Sequence, residues 1–341
     1  MMNAAIVGLG WWGKTLVESV QAKSDIVRFT AGTTRTMSPE VLAFADGQKL
    51  RLIENFDALV VDPAVDAVVL ATPHSLHARQ VMAAAQAGKH VFCEKPFALT
   101  KRDAEAAVDA TRRAGVTLGL GYNRRFHPEM VRLRERIRSG GLGVILHVEA
   151  TMTFPNALML KSTQWRAHRE ETPCGGLTPM GVHAVDGMID LCGAIDHVYC
   201  QSFRRVVEVD SDDTSSMLFR MKDGMSGYLG TITATGPGFS FQVFGSKGSV
   251  RLEGMTHVAG ASSEERRTRL FGTCKFQPIK GPAEVWQAEA YDVTRASLEA
   301  FADAASGGPD YPIPVDQMIH GAAVTEAIVR SAASGKVEQV T

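Results

Sequence analysis

The chain has 341 residues, a length that indicates about two domains at roughly 150 residues each. Its 36 Lys and Arg residues nearly balance 37 Asp and Glu residues, so the net charge of -1 gives no general field for nucleic acid or an anionic membrane. The five cysteines form no CxxC pair, which argues against a zinc ribbon or a complete disulfide framework. No run of about 18 uncharged apolar residues occurs. We therefore expect a cytoplasmic protein that binds neither nucleic acid nor membranes.

Short apolar runs alternate with helical segments over residues 1–122, a pattern typical of parallel strands joined by crossover helices. The predicted strands cover residues 4–7, 26–31, 67–71, 90–93 and 117–120. The predicted helices cover residues 14–22, 39–44, 76–87 and 101–113. The sequence therefore predicts a first domain of the α/β class, built around a parallel sheet.

The pattern changes after residue 122, where strands follow one another with few helices between them. Predicted strands are residues 144–154, a hairpin of 214–222 and 225–233 on Asp223-Gly224, and a hairpin of 239–245 and 249–253. Predicted helices are residues 128–138, 180–192, 284–305 and 316–333. We expect a second domain over residues 123–341 with an antiparallel sheet.

A glycine-rich turn follows the first predicted strand directly. Gly8, Gly10 and Gly13 stand in GLGWWG, where the first glycine permits a tight turn, the second lets the backbone approach a pyrophosphate and the third allows close helix packing. Amide groups at the start of the helix then face the phosphates. Trp11 and Trp12 are expected to pack over the cofactor or the adjacent domain. The pattern predicts dinucleotide binding; the alternative is a glycine-rich turn without a ligand.

The end of the second predicted strand indicates which dinucleotide is preferred. NAD sites usually carry a carboxylate about 20 residues after the glycines, to accept the ribose hydroxyls. This chain has Thr33-Thr34-Arg35 there, and the Arg35 guanidinium is suited to the 2′-phosphate of NADP. We predict that NADP is preferred over NAD, the alternative being that Arg35 is a solvated loop residue.

Residues directly after parallel strands are candidates for the active site, because ligands bind beyond the carboxyl ends of such strands. Three sets qualify: residues 72–77, Glu94-Lys95-Pro96 and residues 122–126. Partial burial of Lys95 would suit it for proton transfer or for holding a substrate hydroxyl, whereas an ion pair with Glu94 is the structural alternative. His74 and His77 have no matching cluster nearby, so no metal site is predicted.

Six segments occur along the chain in this order: GLGWWG, ATPHSLHA, GKHVFCEKP, YNRRFHP, Trp165-Arg166 and CGGLTPMGVHAVD at residues 174–186. In these segments the chain resembles the Gfo/Idh/MocA oxidoreductase family. The resemblance implies an N-terminal Rossmann domain, a C-terminal α/β domain with a large, mostly antiparallel open-faced sheet, and a homodimer or homotetramer formed through that sheet. It also implies hydride transfer between nicotinamide and a sugar, cyclitol or related hydroxy compound.

The resemblance assigns roles to individual residues. Lys95 matches a lysine that contacts the substrate and the nicotinamide ribose, and His183 matches an acid/base histidine. The residues expected to bind the cofactor are Gly8, Gly10, Trp11, Trp12, Gly13, Thr34, Arg35, Thr72, Pro73, His77, Glu94, Lys95, Asn123, Trp165 and Arg166. The residues expected to contact the substrate are Lys95, Asn123, Arg166, His183 and Asp186.

One position departs from the family pattern. The family often has Asp four residues before the histidine, and this chain has Pro179, which cannot relay a proton. His183 still supplies an imidazole with a pKa near working pH, and Asp186 lies three residues further along the same predicted helix. We hypothesise that His183 is the base, that Asp186 orients its ring and that Lys95 holds the substrate oxygen; a structural hydrogen bond is the alternative for Asp186.

Two other functions remain open at this point. The fold also serves non-catalytic NADP-sensing regulators, and some enzymes use nicotinamide transiently in a redox-neutral glycosidase reaction. The sequence does not name the substrate: Arg124, Arg166, His168 and Arg169 would suit a carboxylate if they line the cleft. We interpret Arg132, Arg134, Arg136 and Arg138 as a solvated basic helix surface.

Overall fold

The computed structural model describes residues 1–255 and 261–341. These residues group into two compact units, each formed by two stretches of chain. The first unit comprises Met1–Asn123 and Asp292–Ile319, and the second comprises Arg124–Tyr291 and His320–Thr341.

The first unit contains a six-stranded parallel sheet in the order β3-β2-β1-β4-β5-β6. Its strands are β1 (Met2–Val7), β2 (Val27–Thr33), β3 (Arg51–Leu52), β4 (Ala67–Leu70), β5 (His90–Cys93) and β6 (Leu118–Leu120). Its connecting helices are α1 (Trp11–Val20), α2 (Pro39–Gly47), α3 (Phe56–Val60), α4 (His77–Gln86) and α5 (Lys101–Ala114). All four residues of β4 are buried, as expected for a central strand with helices on both faces. The predicted parallel sheet is confirmed.

Local sequence signals set the ends of several helices. The Thr100 side chain accepts a hydrogen bond from the amide of Asp103 (3.1 Å) and starts α5. Gly115 ends the same helix at φ 65°, a left-handed conformation that glycine adopts without a Cβ penalty. Ser38 and Pro39 start α2 in the same way. The short β3 and α3 carry no clear periodicity and were not predicted.

The segment Asp292–Ile319 completes the core of the first unit. Its helix α9 (Val293–Ala305) places Phe301 against Phe92 of β5, with ring centroids 5.6 Å apart. Gly119 of β6 makes room for that ring, because a Cβ there would lie 2.8 Å from it. The Tyr311 hydroxyl also donates a hydrogen bond to the carbonyl of Leu120 (2.8 Å). The predicted division at residue 122 put this segment in the second domain, whereas its aromatic contacts place it in the first unit.

The second unit is built on a nine-stranded sheet in the order β14-β13-β12-β11-β7-β10-β9-β8-β15. Its strands are β7 (Ile145–Thr153), β8 (Ile195–Phe203), β9 (Thr214–Met221), β10 (Ser226–Ile232), β11 (Gly238–Gly245), β12 (Gly248–Gly254), β13 (Thr273–Pro278), β14 (Glu284–Gln287) and β15 (Glu338–Gln339). Its helices are α6 (Pro128–Arg138), α7 (Gly181–Cys192) and α8 (Ser263–Thr268), and α10 (Val315–Ser334) enters the unit at His320. Among the strands formed by residues 1–255 and 261–341, β7 and β10 are the one parallel pair of this sheet, so the predicted mostly antiparallel sheet is confirmed.

One face of this sheet is covered by α7. Val148, Ala150 and Met152 alternate as buried residues along β7, which is the period of a half-buried strand. Gly187 of α7 lies over Phe241 of β11, and a Cβ on that glycine would be 3.3 Å from the ring. The covered face therefore positions α7, the helix that carries His183.

Two parts of the second unit differ from the prediction. The predicted helix over residues 284–305 is wrong in its first part, because Glu284–Gln287 forms β14 and pairs with β13. The β-branched Val285 and the aromatic Trp286 favour a strand. The helix begins after Asp292, whose carboxylate accepts a hydrogen bond from the Arg295 amide (3.0 Å). The polar strands β8, β13 and β15 and the short helix α8 were not predicted.

Candidate active site

The glycine-rich turn between β1 and α1 has the geometry that the sequence predicts. Gly8 adopts φ 100°, and a Cβ there would lie 2.5 Å from the carbonyl oxygen of Ala71. A Cβ on Gly13 would lie 1.8 Å from the carbonyl oxygen of Gly8, so that position accepts no side chain. Gly10 has nothing within 4 Å of where its Cβ would stand. The first and third glycines therefore close the turn, and the second leaves its outer side open.

The start of α1 offers main-chain donors beside that open side. Gly10 is the N-cap residue, no side chain caps the helix and no acidic residue lies in its first turn. Trp11 is 49% exposed and its ring lies 5.4 Å from that of Trp12. An uncapped, exposed helix start without a carboxylate is suited to an anionic group. The residues present thus fit the pyrophosphate of a dinucleotide.

The end of β2 contains no carboxylate. Thr33 is buried as the last residue of the strand, Thr34 is half-buried and Arg35 is exposed. An exposed guanidinium directly after this strand fits a second phosphate better than a pair of ribose hydroxyls.

The loops after β4 and β5 are linked through His77. This buried ring has Nδ1 2.7 Å from the Pro96 carbonyl oxygen and Nε2 3.0 Å from the Thr72 carbonyl oxygen. The Thr72 hydroxyl donates in turn to Gln80 of α4 (2.6 Å). His77 was predicted as a cofactor residue; in the structure its two nitrogens face main-chain carbonyls and hold these two loops together. Pro73 begins the turn that leads into α4.

Lys95 is half-buried in the loop that follows β5. Its amide donates a hydrogen bond to the buried Glu94 carboxylate (3.2 Å). Burial raises the pKa of Glu94, and the charge of Lys95 opposes that shift. Gly121 packs against the same carboxylate, where a Cβ would lie 2.6 Å from it. The Glu94 side chain is therefore fixed from two sides and fixes the Lys95 backbone.

Asn123 lies three residues after β6, the last strand of the first sheet. Its side-chain amide donates to the Thr294 hydroxyl (3.3 Å), and both residues are buried. This bond ties the end of β6 to the start of α9, a connection within the first unit that the sequence pattern did not indicate.

The predicted acid/base histidine lies in the second unit. His183 is buried near the start of α7, three residues after Met180, whose carbonyl accepts the His183 amide hydrogen bond (3.0 Å). Pro179 stands just before this helix. The predicted pair is therefore divided between the units, with Lys95 in the first and His183 in the second.

Asp186 has a different partner from the one hypothesised. Its two carboxylate oxygens accept hydrogen bonds from Nε (2.8 Å) and Nη2 (2.6 Å) of Arg125 in a bidentate pair. Both side chains are almost fully buried. These bonds fit the structural alternative, in which Asp186 anchors α7, and the hypothesis that Asp186 orients the His183 ring stays a prediction.

A second carboxylate on α7 extends this anchor. Asp190 pairs with Arg125 (3.3 Å) and accepts two further bonds from Nε of Arg134 (3.1 and 2.9 Å). Arg136 lies over the Phe276 ring at 4.0 Å, and Arg132 lies over the Trp286 ring at 5.5 Å. The interpretation of these arginines as a solvated surface is thus wrong for Arg134 and Arg136. The spacing of Asp186 and Asp190, four residues apart on one helix face, was the signal that sequence reasoning missed.

The Trp165-Arg166 pair lies on a single helical turn of the second unit. The Arg166 guanidinium stacks 4.0 Å from the Trp165 ring centroid, and Arg166 is exposed. Arg169 is neutralised by Asp212 (2.9 Å) and Asp210 (3.6 Å). Arg169, one of the four residues predicted to suit a substrate carboxylate, is therefore already paired with acidic side chains.

Two family models match this chain. An oxidoreductase family model with an NAD-binding Rossmann fold, Gfo/Idh/MocA, matches residues 2–122, and the corresponding C-terminal domain model matches residues 130–251. The rhizopine catabolism protein MocA of Rhizobium meliloti is 31% identical over 250 residues, covering 71% of this chain and 75% of that protein. The chain belongs to the Gfo/Idh/MocA family. It is an NAD(P)-dependent oxidoreductase.

Other relatives of this Gfo/Idh/MocA protein agree in fold. The myo-inositol 2-dehydrogenase of Thermotoga maritima is 26% identical, covering 79% of this chain and 80% of that protein. The crystal structure of aldose-aldose oxidoreductase from Caulobacter crescentus superposes with a TM-score of 0.83 at 25% identity, covering 99% of both chains. The WlbA dehydrogenase from Bordetella pertussis, solved with NADH and UDP-GlcNAcA, gives a TM-score of 0.83 at 22% identity, covering 100% of this chain and 99% of that one.

Within residues 1–255 and 261–341, no group of three or more His, Cys, Asp or Glu side chains is arranged to hold a metal ion. No helix among the described residues is long and apolar enough to cross a membrane.

Proposed function

We propose that this protein is an NADP-preferring dehydrogenase or reductase. Its substrate is a secondary alcohol or ketone of a sugar, cyclitol or related small hydroxy compound. The observation that carries the proposal is the turn at Gly8, Gly10 and Gly13, where two glycines close the backbone and one leaves an open approach. The similarity to the myo-inositol 2-dehydrogenase named above supports the substrate class. A further relative, the 1,5-anhydro-D-fructose reductase of Ensifer adhaerens, is 38% identical over 136 residues, or 39% of this chain, and supports the same class.

Each part of the site has a separate role in this proposal. The uncapped start of α1 holds the pyrophosphate, and Arg35 holds the 2′-phosphate. When bound, the nicotinamide supplies the hydride acceptor or donor. Lys95 donates a hydrogen bond to the reacting substrate oxygen, and the His183 imidazole takes the hydroxyl proton during oxidation or returns it during reduction. The nicotinamide and substrate positions are lined by Thr72, Pro73, Asn123, Trp165 and Arg166.

Pro179 shapes this assignment. Because a proline side chain neither accepts nor donates a proton, the acid/base step rests on His183 alone, without an aspartate four residues before it. Replacement of His183 by Asn keeps a polar group of similar size and removes the titrating nitrogen. We expect hydride transfer to fall by about 100-fold or more, within the range of general acid/base contributions.

The decisive experiment is a screen of polyols, aldoses and hydroxy acids with NADP and with NAD, followed through the absorbance of the reduced cofactor. The proposal expects mole-for-mole formation of NADPH with at least one compound, and large losses in the His183→Asn and Lys95→Met variants. Normal rates at all pH values in His183→Asn would contradict the base assignment. Binding of NADP without turnover of any compound would favour a regulator instead.

A redox-neutral reaction is the second candidate, because one relative is a 2,7-anhydro-N-acetylneuraminate hydratase of Escherichia coli, 29% identical over 286 residues. The amount of NADPH formed per substrate consumed distinguishes the redox-neutral reaction from the dehydrogenase reaction. Substrate consumption that depends on added NADP but leaves the amount of NADPH unchanged would replace the dehydrogenase with this alternative.

We also propose that the protein is cytoplasmic and forms a homodimer or homotetramer through the open face of the second sheet. Leu218 of β9 and Val285 of β14 are 55% and 60% exposed on that face, where apolar side chains favour burial by a partner. Light scattering after gel filtration tests the assembly, and Leu218→Glu is expected to shift it toward monomer.

A further inference from the structure

Two neighbouring arginines of the second unit have opposite electrostatic surroundings. Arg125 is neutralised by Asp186 and Asp190, as described above. Arg124 is equally buried, at 7% exposed, and within residues 1–255 and 261–341 no carboxylate lies within salt-bridge distance of it. Its Nη1 is fully buried and has no hydrogen-bond partner among the described residues. A buried cation without a counter-charge is unfavourable, so Arg124 requires an explanation that Arg125 does not.

Two groups close to the Arg124 side chain are aromatic, the Phe239 ring and the His127 imidazole. Its guanidinium carbon lies 4.4 Å from the ring centroid of Phe239 on β11. His127 is close enough for the Arg124 charge to lower its pKa, and the His127 ring packs edge-on against Phe271 (4.7 Å). Burial lowers the pKa of Arg124 itself to about 10, which leaves it charged at neutral pH. A cation–π contact alone compensates only a part of this desolvation.

The cross-strand register relates Arg124 to a second unpaired polar group on the same sheet. Phe239 pairs with Met152 of β7, and Met152 pairs with Thr231 of β10, so Thr231 lies about 10 Å from Phe239 at the usual strand spacing. The Thr231 hydroxyl is buried and has no partner among the described residues, and the same holds for Thr178 in the segment leading to α7.

Thr231 lies next to the start of α7. A Cβ on Gly181 would be 3.0 Å from Thr231, and Gly181 precedes His183 by two residues. The Arg124 guanidinium over Phe239 and the unpaired Thr231 hydroxyl thus lie on the sheet face covered by α7, the helix that carries the predicted acid/base residue. Unpaired buried polar atoms in a well-formed unit indicate a missing partner.

We propose that Arg124 binds the carboxylate of an acidic substrate, so that the preferred compounds are hydroxy acids or sugar acids rather than neutral polyols. The inference rests on the proposed function and specifies its substrate class. A planar guanidinium matches a carboxylate in two parallel hydrogen bonds. The groups close to Arg124 are the Phe239 ring and the His127 imidazole, and with no second cation among them they suit a single negative charge better than a phosphate dianion.

The experiment compares substrates that differ only in a carboxylate. Turnover is measured with D-glucuronate against D-glucose, D-galacturonate against D-galactose, and a panel of 2- and 3-hydroxy acids against the matching diols. Binding of the same acids to the protein without cofactor is measured by calorimetry. We expect kcat/KM to favour the acid by at least about 10-fold, and Arg124→Met to lower kcat/KM for the acid by about 100-fold, a loss at least about 10-fold larger than the loss for the neutral partner.

Two further variants keep the test decisive. Arg132→Met is the matched control, because Arg132 also lies over an aromatic ring but is exposed and pairs with Glu129 (3.6 Å). It is expected to behave as wild type. Arg124→Lys keeps the charge and loses the bidentate geometry. Because the native guanidinium is uncompensated, Arg124→Met is expected to raise the Tm of the unliganded protein, whereas a purely structural arginine would lower it.

Each outcome bears on the inference separately from the proposed function. Turnover of neutral compounds without a preference for acids, or a preference that survives Arg124→Met, would overturn the inference and leave the dehydrogenase intact. Acid binding that is lost in Arg124→Met, without hydride transfer to any compound, would support the anion site and overturn the dehydrogenase. Absence of both turnover and acid binding would overturn the inference.

Discussion

Arg125 and Asp186 form a bidentate pair with both side chains almost fully buried. Arg125 lies in the turn that precedes α6, and Asp186 lies on α7 one helical turn after His183. The pair therefore fixes the rotation of α7 about its own axis, and with it the direction in which the His183 side chain leaves the helix.

Breaking this pair tests its role. Asp186→Asn is expected to cost about 3 kcal/mol or more of unfolding free energy, because it leaves the Arg125 guanidinium buried with one weakened partner. The double variant Arg125→Met/Asp186→Leu removes both charges and is expected to recover most of that loss. Chemical denaturation of the wild type and of the two variants measures how much of the loss is recovered. Equal losses in the single and double variants would show that the pair contributes little.

Two alanine substitutions in the glycine turn separate folding from binding. In Gly10→Ala the added Cβ meets no protein atom within 4 Å, so we expect an unchanged Tm and an NADP affinity reduced by about 10-fold or more. In Gly13→Ala the Cβ would lie 1.8 Å from the Gly8 carbonyl oxygen, so we expect a loss of about 2–4 kcal/mol in stability as well. Thermal melts and cofactor titrations distinguish the two. Normal binding by Gly10→Ala would place the pyrophosphate elsewhere.

Arg35→Ser is expected to weaken NADP binding by about 10-fold or more and to leave NAD binding unchanged, because only NADP carries the 2′-phosphate. Arg28→Ser is the matched control, since Arg28 is exposed at the other end of β2 and contacts Asn3 (3.0 Å). Fluorescence titration of both variants with both cofactors provides the measurement. Equal losses for NAD and NADP in Arg35→Ser would argue against recognition of the 2′-phosphate.

His127 makes the stability of the second unit sensitive to acid. Burial and the neighbouring Arg124 lower its pKa to about 4, from an ordinary value of 6.5. The unfolded chain therefore binds a proton more readily than the fold between these values, and stability falls by up to about 3 kcal/mol as pH drops from 6.5 toward 4.

His127→Asn is the variant that isolates this effect. The His127 ring accepts a hydrogen bond from the Glu129 amide (3.2 Å) at the start of α6, and Asn retains such an acceptor without titrating. We expect the difference in unfolding free energy between pH 7 and pH 4.5 to shrink in the variant, even if its stability at pH 7 is lower. An unchanged pH slope would contradict the assignment.

The sequence predicted those features that depend on local periodicity and local backbone conformation. The five longer strands of the first sheet, the glycine turn and the helix at residues 128–138 follow from apolar spacing, φ-permissive glycines and N-cap residues. The features it did not predict depend on distant contacts. The strand at Glu284–Gln287 exists because β13 lies beside it, and the partner of Asp186 is Arg125, 61 residues earlier in the chain. Similarly, Arg124 and Arg125 are adjacent in sequence, and only their three-dimensional surroundings separate a neutralised cation from an unpaired one.

The return of the segment Asp292–Ile319 to the first unit has a consequence for biosynthesis. The ribosome completes the strands of the first sheet by residue 120, but Phe301 and Tyr311, which cover that sheet, emerge much later. The first unit therefore remains without part of its core until residue 319 of 341 has been made. During that interval the apolar surface around Phe92 and Gly119 is exposed, and chaperones that recognise nascent chains are expected to bind it.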